Sequence, residues 1–414
     1  MLHKNGPQII TLQEYGSVEV ALSPEVYSAI RLRYVKQMEV APTDKSGIYR
    51  ITARDYVGRM GLPGGGIIAI QPKVGVGNLF YMLCADAGLA GFRPPPTGLA
   101  ENPDIFAFVL AALVNAVEGL LRGGLYRDYR LRDERLPFVR GRVVLGDQLR
   151  HGWLQHTQSC RYADLTADTP ENRVVAATLR CLPALLADDT EREVARRARG
   201  LLLRFEGIGI VSRGEAISLL WEINIHRLNA LYGPVLGLCR LALHHLTLDE
   251  RPGEHPFASF MVDMPRLFES FLTVRLRAML PSHGLRVVAQ RYDYLDEERT
   301  VGIRPDVLVY SRTGSAPLLV LDAKYRRPDD PDGGLNRDLY QVSAYLDRYS
   351  LSRGVLVYPQ FDDPTATRLK LRGTPKHLHI ETLNLGAQTP TDLDANCERL
   401  AARVAALASV PAQS

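Results

Sequence analysis

The spacing of apolar positions changes character along the chain. From residue 8 to about 75, short runs rich in β-branched residues (Gln8 to Leu12, Val18 to Leu22, Ile48 to Ala53, Ile67 to Ile70) alternate with turn residues. That pattern predicts a small, mostly β module. Gly64-Gly65-Gly66 separates two of the runs and reads as a hairpin turn. No GxxxxGK[ST] follows it anywhere, so the chain shows no nucleotide-hydrolysing loop of its own.

Phe92 to Asp104, centred on Pro94-Pro95-Pro96, reads as a linker into a helical region that runs to about residue 250. Asp104 to Leu121 and Glu171 to Leu186 have helical apolar spacing, with a helix start at Thr169-Pro170-Glu171. Arginine-rich Glu191 to Arg204 reads as a solvated helix face. After Arg251-Pro252-Gly253 the period alternates between 3.6 and 2. Helices are expected at Met264 to Leu280 and Leu335 to Tyr349. Strands are expected at Arg286 to Tyr294, Ile303 to Tyr310, Leu318 to Tyr325 and Gly354 to Tyr358. The fold class is therefore α/β and α+β multidomain: a β-rich module over 1–92, a mainly helical region over 93–250, and an α/β domain with a mixed sheet over 251–414.

Composition narrows this only slightly. The 414 residues leave room for two or three domains, and 46% hydrophobic with 23% charged residues is an ordinary globular balance. Five scattered cysteines with no CxxC argue against a disulfide framework or zinc knuckle and fit a reducing cytoplasm. The longest apolar stretch, Ile105 to Val117, contains Asn115, is short for a bilayer and reads as a buried helix, so no membrane is expected. A net charge of +4 permits nucleic-acid binding without demanding it. Only seven of the 50 basic residues are lysines. A lysine within a chemical motif then carries weight, because arginine holds its proton too tightly to act as a base.

One lysine stands in such a motif. The apolar run Leu318-Leu319-Val320-Leu321 leads straight into Asp322-Ala323-Lys324. Side chains alternate across a strand, so Asp322 and Lys324 share a face at the end of a buried strand. Upstream, Arg304-Pro305-Asp306 opens the strand Val307 to Tyr310, and a turn around Ser311 to Ala316 brings Asp306 back toward Asp322. Asp306, Asp322 and the Ala323 carbonyl suit a hard cation such as Mg²⁺. Lys324 then has a role in positioning or deprotonating an attacking water, and the expected reaction is phosphodiester hydrolysis. Glu269 lies on the apolar stripe of the Met264 helix, either paired with an arginine such as Arg275 or serving a metal or water contact. Gln341 and Tyr345 are four apart and share a helix face.

In this order, Pro305-Asp306, Asp322-Ala323-Lys324 and Gln341-Val342-Ser343-Ala344-Tyr345 resemble the PD-(D/E)xK nuclease superfamily, with catalytic residues Glu269, Asp306, Asp322, Lys324 and Gln341. Asp263 to Glu269 and Asp322-Ala323-Lys324-Tyr325 further resemble the McrC family, nuclease subunits of modification-dependent restriction systems. Gln71-Pro72-Lys73, Arg140-Gly141-Arg142 and Asp168 to Arg173 are similar to that family as well. The resemblance implies DNA as substrate and, as partner, an AAA+ GTPase of McrB type that reads the modified base. It also implies that the β-rich amino-terminal part docks on that GTPase and stimulates it. A stand-alone nuclease of repair or phage defence, or an adaptor that only activates the GTPase, are the alternatives. His377 and His379 share a strand face without a third ligand and read as an edge strand, and His244-His245 as a helix end.

Overall fold

The computed structural model describes residues 9–63, 66–89, 105–150, 156–181, 189–249, 257–326, 334–360 and 367–409. The amino-terminal part runs β1 (Ile9–Gln13), β2 (Ser17–Ala21), α1 (Pro24–Arg33), β3 (Met38–Pro42), β4 (Ile48–Ala53), β5 (Tyr56–Gly61), β6 (Ile67–Gln71) and α2 (Val76–Asp86). The middle runs α3 (Ile105–Arg122), β7 (Asp128–Leu136), β8 (Arg142–Val143), α4 (Leu145–Arg150), β9 (Gln158–Thr166), α5 (Pro170–Cys181), α6 (Asp189–Leu202), α7 (Arg213–Glu222) and α8 (Tyr232–His245). The carboxyl-terminal part begins β10 (Leu246–Asp249), β11 (Phe257–Asp263), α9 (Met264–Met279), β12 (Leu285–Ala289), β13 (Asp293–Tyr294), β14 (Gly302–Ile303) and β15 (Val307–Ser311). It ends β16 (Pro317–Ala323), α10 (Gly334–Arg348), β17 (Arg353–Gln360), β18 (Thr367–Lys370), β19 (His377–Asn384) and α11 (Pro390–Ser409).

Two compact units result. One gathers the described residues of 1–93, 99–108 and 248–414, and the other those of 109–247. In the first, a five-stranded sheet has the order β1-β6-β5-β11-β10, so strands nearly two hundred positions apart in sequence are neighbours. Gly58 of β5 lies opposite Met261 of β11 at a φ of 127°, and a Cβ there would sit 2.0 Å from the Phe260 carbonyl oxygen. Only glycine lets the two backbones approach so closely. Helix α2 fastens the same two parts of the chain together: Asn78 Nδ2 donates to the carbonyls of Leu385 (2.9 Å) and Ala387 (2.7 Å), and the Tyr81 hydroxyl to Asp394 (2.7 Å).

The second sheet of this unit has the order β12-β15-β16-β17-β19-β18. It is mixed: β12-β15-β16 are antiparallel, β16-β17-β19 parallel, and β18 antiparallel to β19. Leu308, Tyr310, Val320, Leu356, Tyr358, Leu378 and Ile380 form a core with Val342, Tyr345 and Leu346 of α10. Helices α9 and α11 pack against β16 as well, and Arg403 of α11 pairs with Glu381 of β19 at 2.6 Å. Asp263 caps α9, accepting the Arg266 N–H at 3.0 Å, with Pro265 in the first turn.

Several expectations are refined. The β module also holds α1, announced by the cap Ser23 and by Pro24, and α2. The predicted strand Arg286 to Tyr294 breaks after Ala289, and Ile303 to Tyr310 breaks around Arg304-Pro305-Asp306. His377 and His379 lie on β19, which has neighbours on both sides; the edge strand on that side of the sheet is β18, which sequence periodicity did not reveal. The Gly64-Gly65 part of the predicted turn, the Pro94 linker, Asp104, Leu182 to Leu186 and Arg251-Pro252-Gly253 lie outside the described residues.

The second unit adds an antiparallel sheet, β7-β9-β8, to its helices. Helix α5 starts at Pro170 as expected and packs on α7 and α8; α8 ends at His245. Of the arginines on α6, Arg196 pairs with exposed Glu193, whereas Arg197 is not merely solvated: it bridges Asn115 and Glu118 of α3 at 2.7–2.9 Å. Helix α3 is, by length and composition, the one described helix able to cross a membrane, and 67% of it is buried inside the protein.

Candidate functional site

The antiparallel pairing of β15 and β16 sets Val307 opposite Leu321. Asp306, immediately before β15, and Asp322 of β16 flank that pair, as the hairpin reading expected. Asp306 Oδ2 accepts the Ala323 N–H at 2.8 Å, and its carboxyl lies close enough to that of Asp322 for the Asp322 charge to disfavour its ionisation. Asp322 is 1% exposed. Lys324, one residue past the strand, brings its ammonium to 2.6 Å from Asp322 Oδ2, a close but poorly aligned ion pair rather than a directed hydrogen bond. The same ammonium donates to Gln341 Oε1 at 3.0 Å, and Gln341 Nε2 donates to the Tyr345 hydroxyl at 2.7 Å. Helical spacing of four therefore places an acceptor for the lysine and a buried anchor for that acceptor on one face of α10.

Glu269 enters from α9. Its partner is not Arg275, which pairs with Asp394 at 2.5 Å. It is the side-chain amide of Gln290, which donates to Glu269 and, at 3.1 Å, to Asp306. Gln290 is the residue that sequence reasoning missed. It directly follows β12 with a φ of 52°, and its N–H bonds the Asp306 carbonyl at 3.0 Å. The signal available was a polar Gln290-Arg291 step inside a run read as one strand.

The electrostatics follow from crowding. Burial first, then Asp322 and Glu269, push the Asp306 carboxyl up to about 8. Burial raises Asp322, with Lys324 opposing, and burial followed by Asp322 raises Glu269. Three carboxyls thus face one lysine, and burial together with mutual repulsion disfavours their ionised forms. Among the described residues no three His, Cys, Asp or Glu side chains form a ready-made metal cage. The Gln290 amide and the Lys324 ammonium lie among the carboxyls instead. His377 and His379 stay apart from this cluster, on β19.

A family model of McrBC 5-methylcytosine restriction system components matches residues 51–359, a span that holds every residue of this cluster. The chain belongs to that family, as a McrC-type restriction subunit. This McrC-type chain is 25% identical to the Type IV methyl-directed restriction enzyme EcoKMcrBC of Escherichia coli (strain K12), across 77% of its own length and 95% of the relative's. It shares its fold with a chain of the half-complex from the tetradecameric assembly of Thermococcus gammatolerans McrB AAA+ hexamers with bound McrC. The TM-score is 0.65 at 19% identity, covering 96% of this chain and 100% of that one.

Proposed function

We propose that this McrC-type chain is the Mg²⁺-dependent DNA endonuclease of a McrBC-like restriction complex, with a PD-(D/E)xK site on β15, β16 and α10. It works with an AAA+ GTPase of McrB type that it binds and stimulates, in the cytoplasm. The observation that carries this reading is the meeting of Asp306, Asp322 and Lys324 at the ends of paired strands, with Glu269 and Gln341 closing on them from two helices. The names of its relatives, a methyl-directed restriction enzyme and a McrB hexamer assembly with bound McrC, support the substrate and the partner.

The residues present fit a hard divalent cation. Their donors are oxygens, their charges outnumber the single lysine, and their ionised forms are disfavoured by one another, an imbalance that a cation relieves. Asp306, Asp322 and the Ala323 carbonyl would hold it, with water completing the shell. Bound there, a divalent cation supplies Lewis-acid stabilisation of the charge that builds up on the phosphate. Lys324, held by Gln341 and Asp322, orients the water that attacks phosphorus and helps to take its proton. Tyr345 keeps Gln341 in place, and Gln290 spaces Glu269 from Asp306.

Asp306→Ala and Lys324→Ala should abolish Mg²⁺-dependent cleavage of methylated DNA while leaving stimulation of the partner's GTPase intact. Undiminished cleavage by either variant would refute the assignment. Cleavage by the wild-type chain without any GTPase would favour the stand-alone nuclease, and stimulation without cleavage under any metal the adaptor.

A further inference from the structure

Tyr325 follows Lys324 directly, is 5% exposed, and has no part in the chemistry above. Its two polar ends are both held from the amino-terminal module. The Tyr325 hydroxyl donates to Glu14 Oε2 at 3.3 Å, and the Tyr15 hydroxyl donates to the Tyr325 carbonyl at 3.3 Å. Its ring packs at a tilt on Phe268, centroids 5.8 Å apart, and Phe268 is the chain neighbour of Glu269. Tyr325 is thus wedged between the residues that carry the lysine and the third acid.

The holding groups are themselves held. Glu14 Oε2 also accepts the Lys73 N–H at 3.2 Å, and the Glu14 N–H bonds the Gln71 carbonyl at 2.9 Å. The Lys73 ammonium lies 4.7 Å from the Tyr15 ring centroid. Gln71-Pro72-Lys73, one of the motifs singled out in the sequence, is therefore the floor of this contact. Two features are costly for stability alone. Glu14 is 1% exposed, and its Oε1 accepts no hydrogen bond from a described residue. Tyr15 sits at a φ of 59°, a conformation that a bulky side chain rarely adopts. Strain of this kind persists where surrounding structure must hold a geometry. Strand β16 ends at Ala323; the Lys324 N–H still bonds the Val357 carbonyl of β17 at 2.9 Å, and on the other side of Lys324 the chain is anchored by Tyr325.

We propose that Glu14 and Tyr15, gripping Tyr325 by its hydroxyl and its carbonyl, are positioning residues that set where Lys324 stands among the acids. Movement of the turn after β1 then moves the lysine, which makes cleavage responsive to whatever binds the amino-terminal module. This inference rests on the nuclease reading of Lys324 for its consequence, but its geometry can be tested without any cleavage.

Glu14→Gln, Tyr15→Phe and Tyr325→Phe each change one group and keep its shape, and are made in the full chain. The seven lysines allow reductive ¹³C-methylation to give a resolvable spectrum, in which the Lys324 signal is the one lost in Lys324→Arg. Tyr325→Phe and Glu14→Gln should shift that signal while those of Lys370 and Lys376, on the β18 side of the sheet, stay in place. A Lys324 signal unmoved in all three variants overturns the proposal, whether or not the chain cuts DNA. In single-turnover cleavage at saturating DNA, run well below the melting temperature of each variant, Tyr325→Phe should slow the reaction roughly ten- to a hundred-fold, with DNA affinity unchanged. A wild-type rate, or a loss that follows the melting temperature, overturns it too. Failure of the nuclease reading shows separately, as Asp306→Ala and Lys324→Ala cutting like wild type.

Discussion

Gln290 donates its side-chain amide to Asp306 at 3.1 Å from a backbone turned to a φ of 52° immediately after β12. An uncharged donor between Glu269 and Asp306 lets two carboxyls share a site without a further charge. Gln290→Glu replaces that donor with a fourth acid and should lower stability by ~1–3 kcal/mol near neutral pH. Because protonation relieves like-charge repulsion, the loss should shrink as pH falls, and also on adding Mg²⁺. Thermal unfolding at several pH values, with and without the cation, checks this; a loss independent of both would point to packing alone.

Lys324→Arg keeps the positive charge beside Asp322 but removes a group able to give up its proton, and it enlarges a head seated between Asp322 and Gln341. Cleavage should fall by on the order of 10²–10⁴-fold. Gln341→Ala, which leaves the lysine in place but loosened, should lose less. Single-turnover rates rank the two, and an active arginine variant would mean that charge alone is used.

Gly58→Ala forces a Cβ to within 2.0 Å of the Phe260 carbonyl, at a φ foreign to L side chains. The β5-β11 pairing should be forced apart at a cost of ~3 kcal/mol. Denaturant unfolding measures it. Equal stability in the variant would show that this close approach of the two strands is dispensable.

Asp168 tests the second unit. The Arg173 guanidinium, at 2.6 Å, and then the Gly209 N–H hold its carboxyl below the usual aspartate range. A lowered folded value gives stability that is present above the unfolded value and lost as pH falls through the folded one. Asp168→Asn should therefore cost ~1–2 kcal/mol at pH 7, a figure tempered by the partial exposure of the pair. The gap to wild type should start to close below about pH 4. A gap that persists unchanged in acid would contradict the ion-pair origin.

Much of the site was legible because its signals are local. Asp322 and Lys324 are two positions apart where a strand ends, Gln341 and Tyr345 share a helix face, and Asp306 is returned to Asp322 by a short hairpin. These follow from periods of 2 and 3.6 and need no distant contact. Gln290 escaped because a residue just past a strand, in a left-handed conformation, leaves no periodic trace. Arg275 stood as one of two alternatives for Glu269, and helical spacing could not show that α11 offers it Asp394 instead. The β7-β9-β8 sheet escaped among helices because almost every residue of β7 is exposed, so burial imposes no alternation on it.

What the sequence determined by itself was a local constellation: which acids and which lysine come together, near the ends of which strands and on which helices, since neighbours within an element or a hairpin are set by backbone geometry. What only the tertiary structure decided is how the chain's ends belong together. β5 lies against β11, and Glu14 and Tyr15 hold Tyr325 beside the lysine across some three hundred positions of chain. Such contacts depend on which apolar surfaces bury one another, and burial is non-directional, so no periodicity records it.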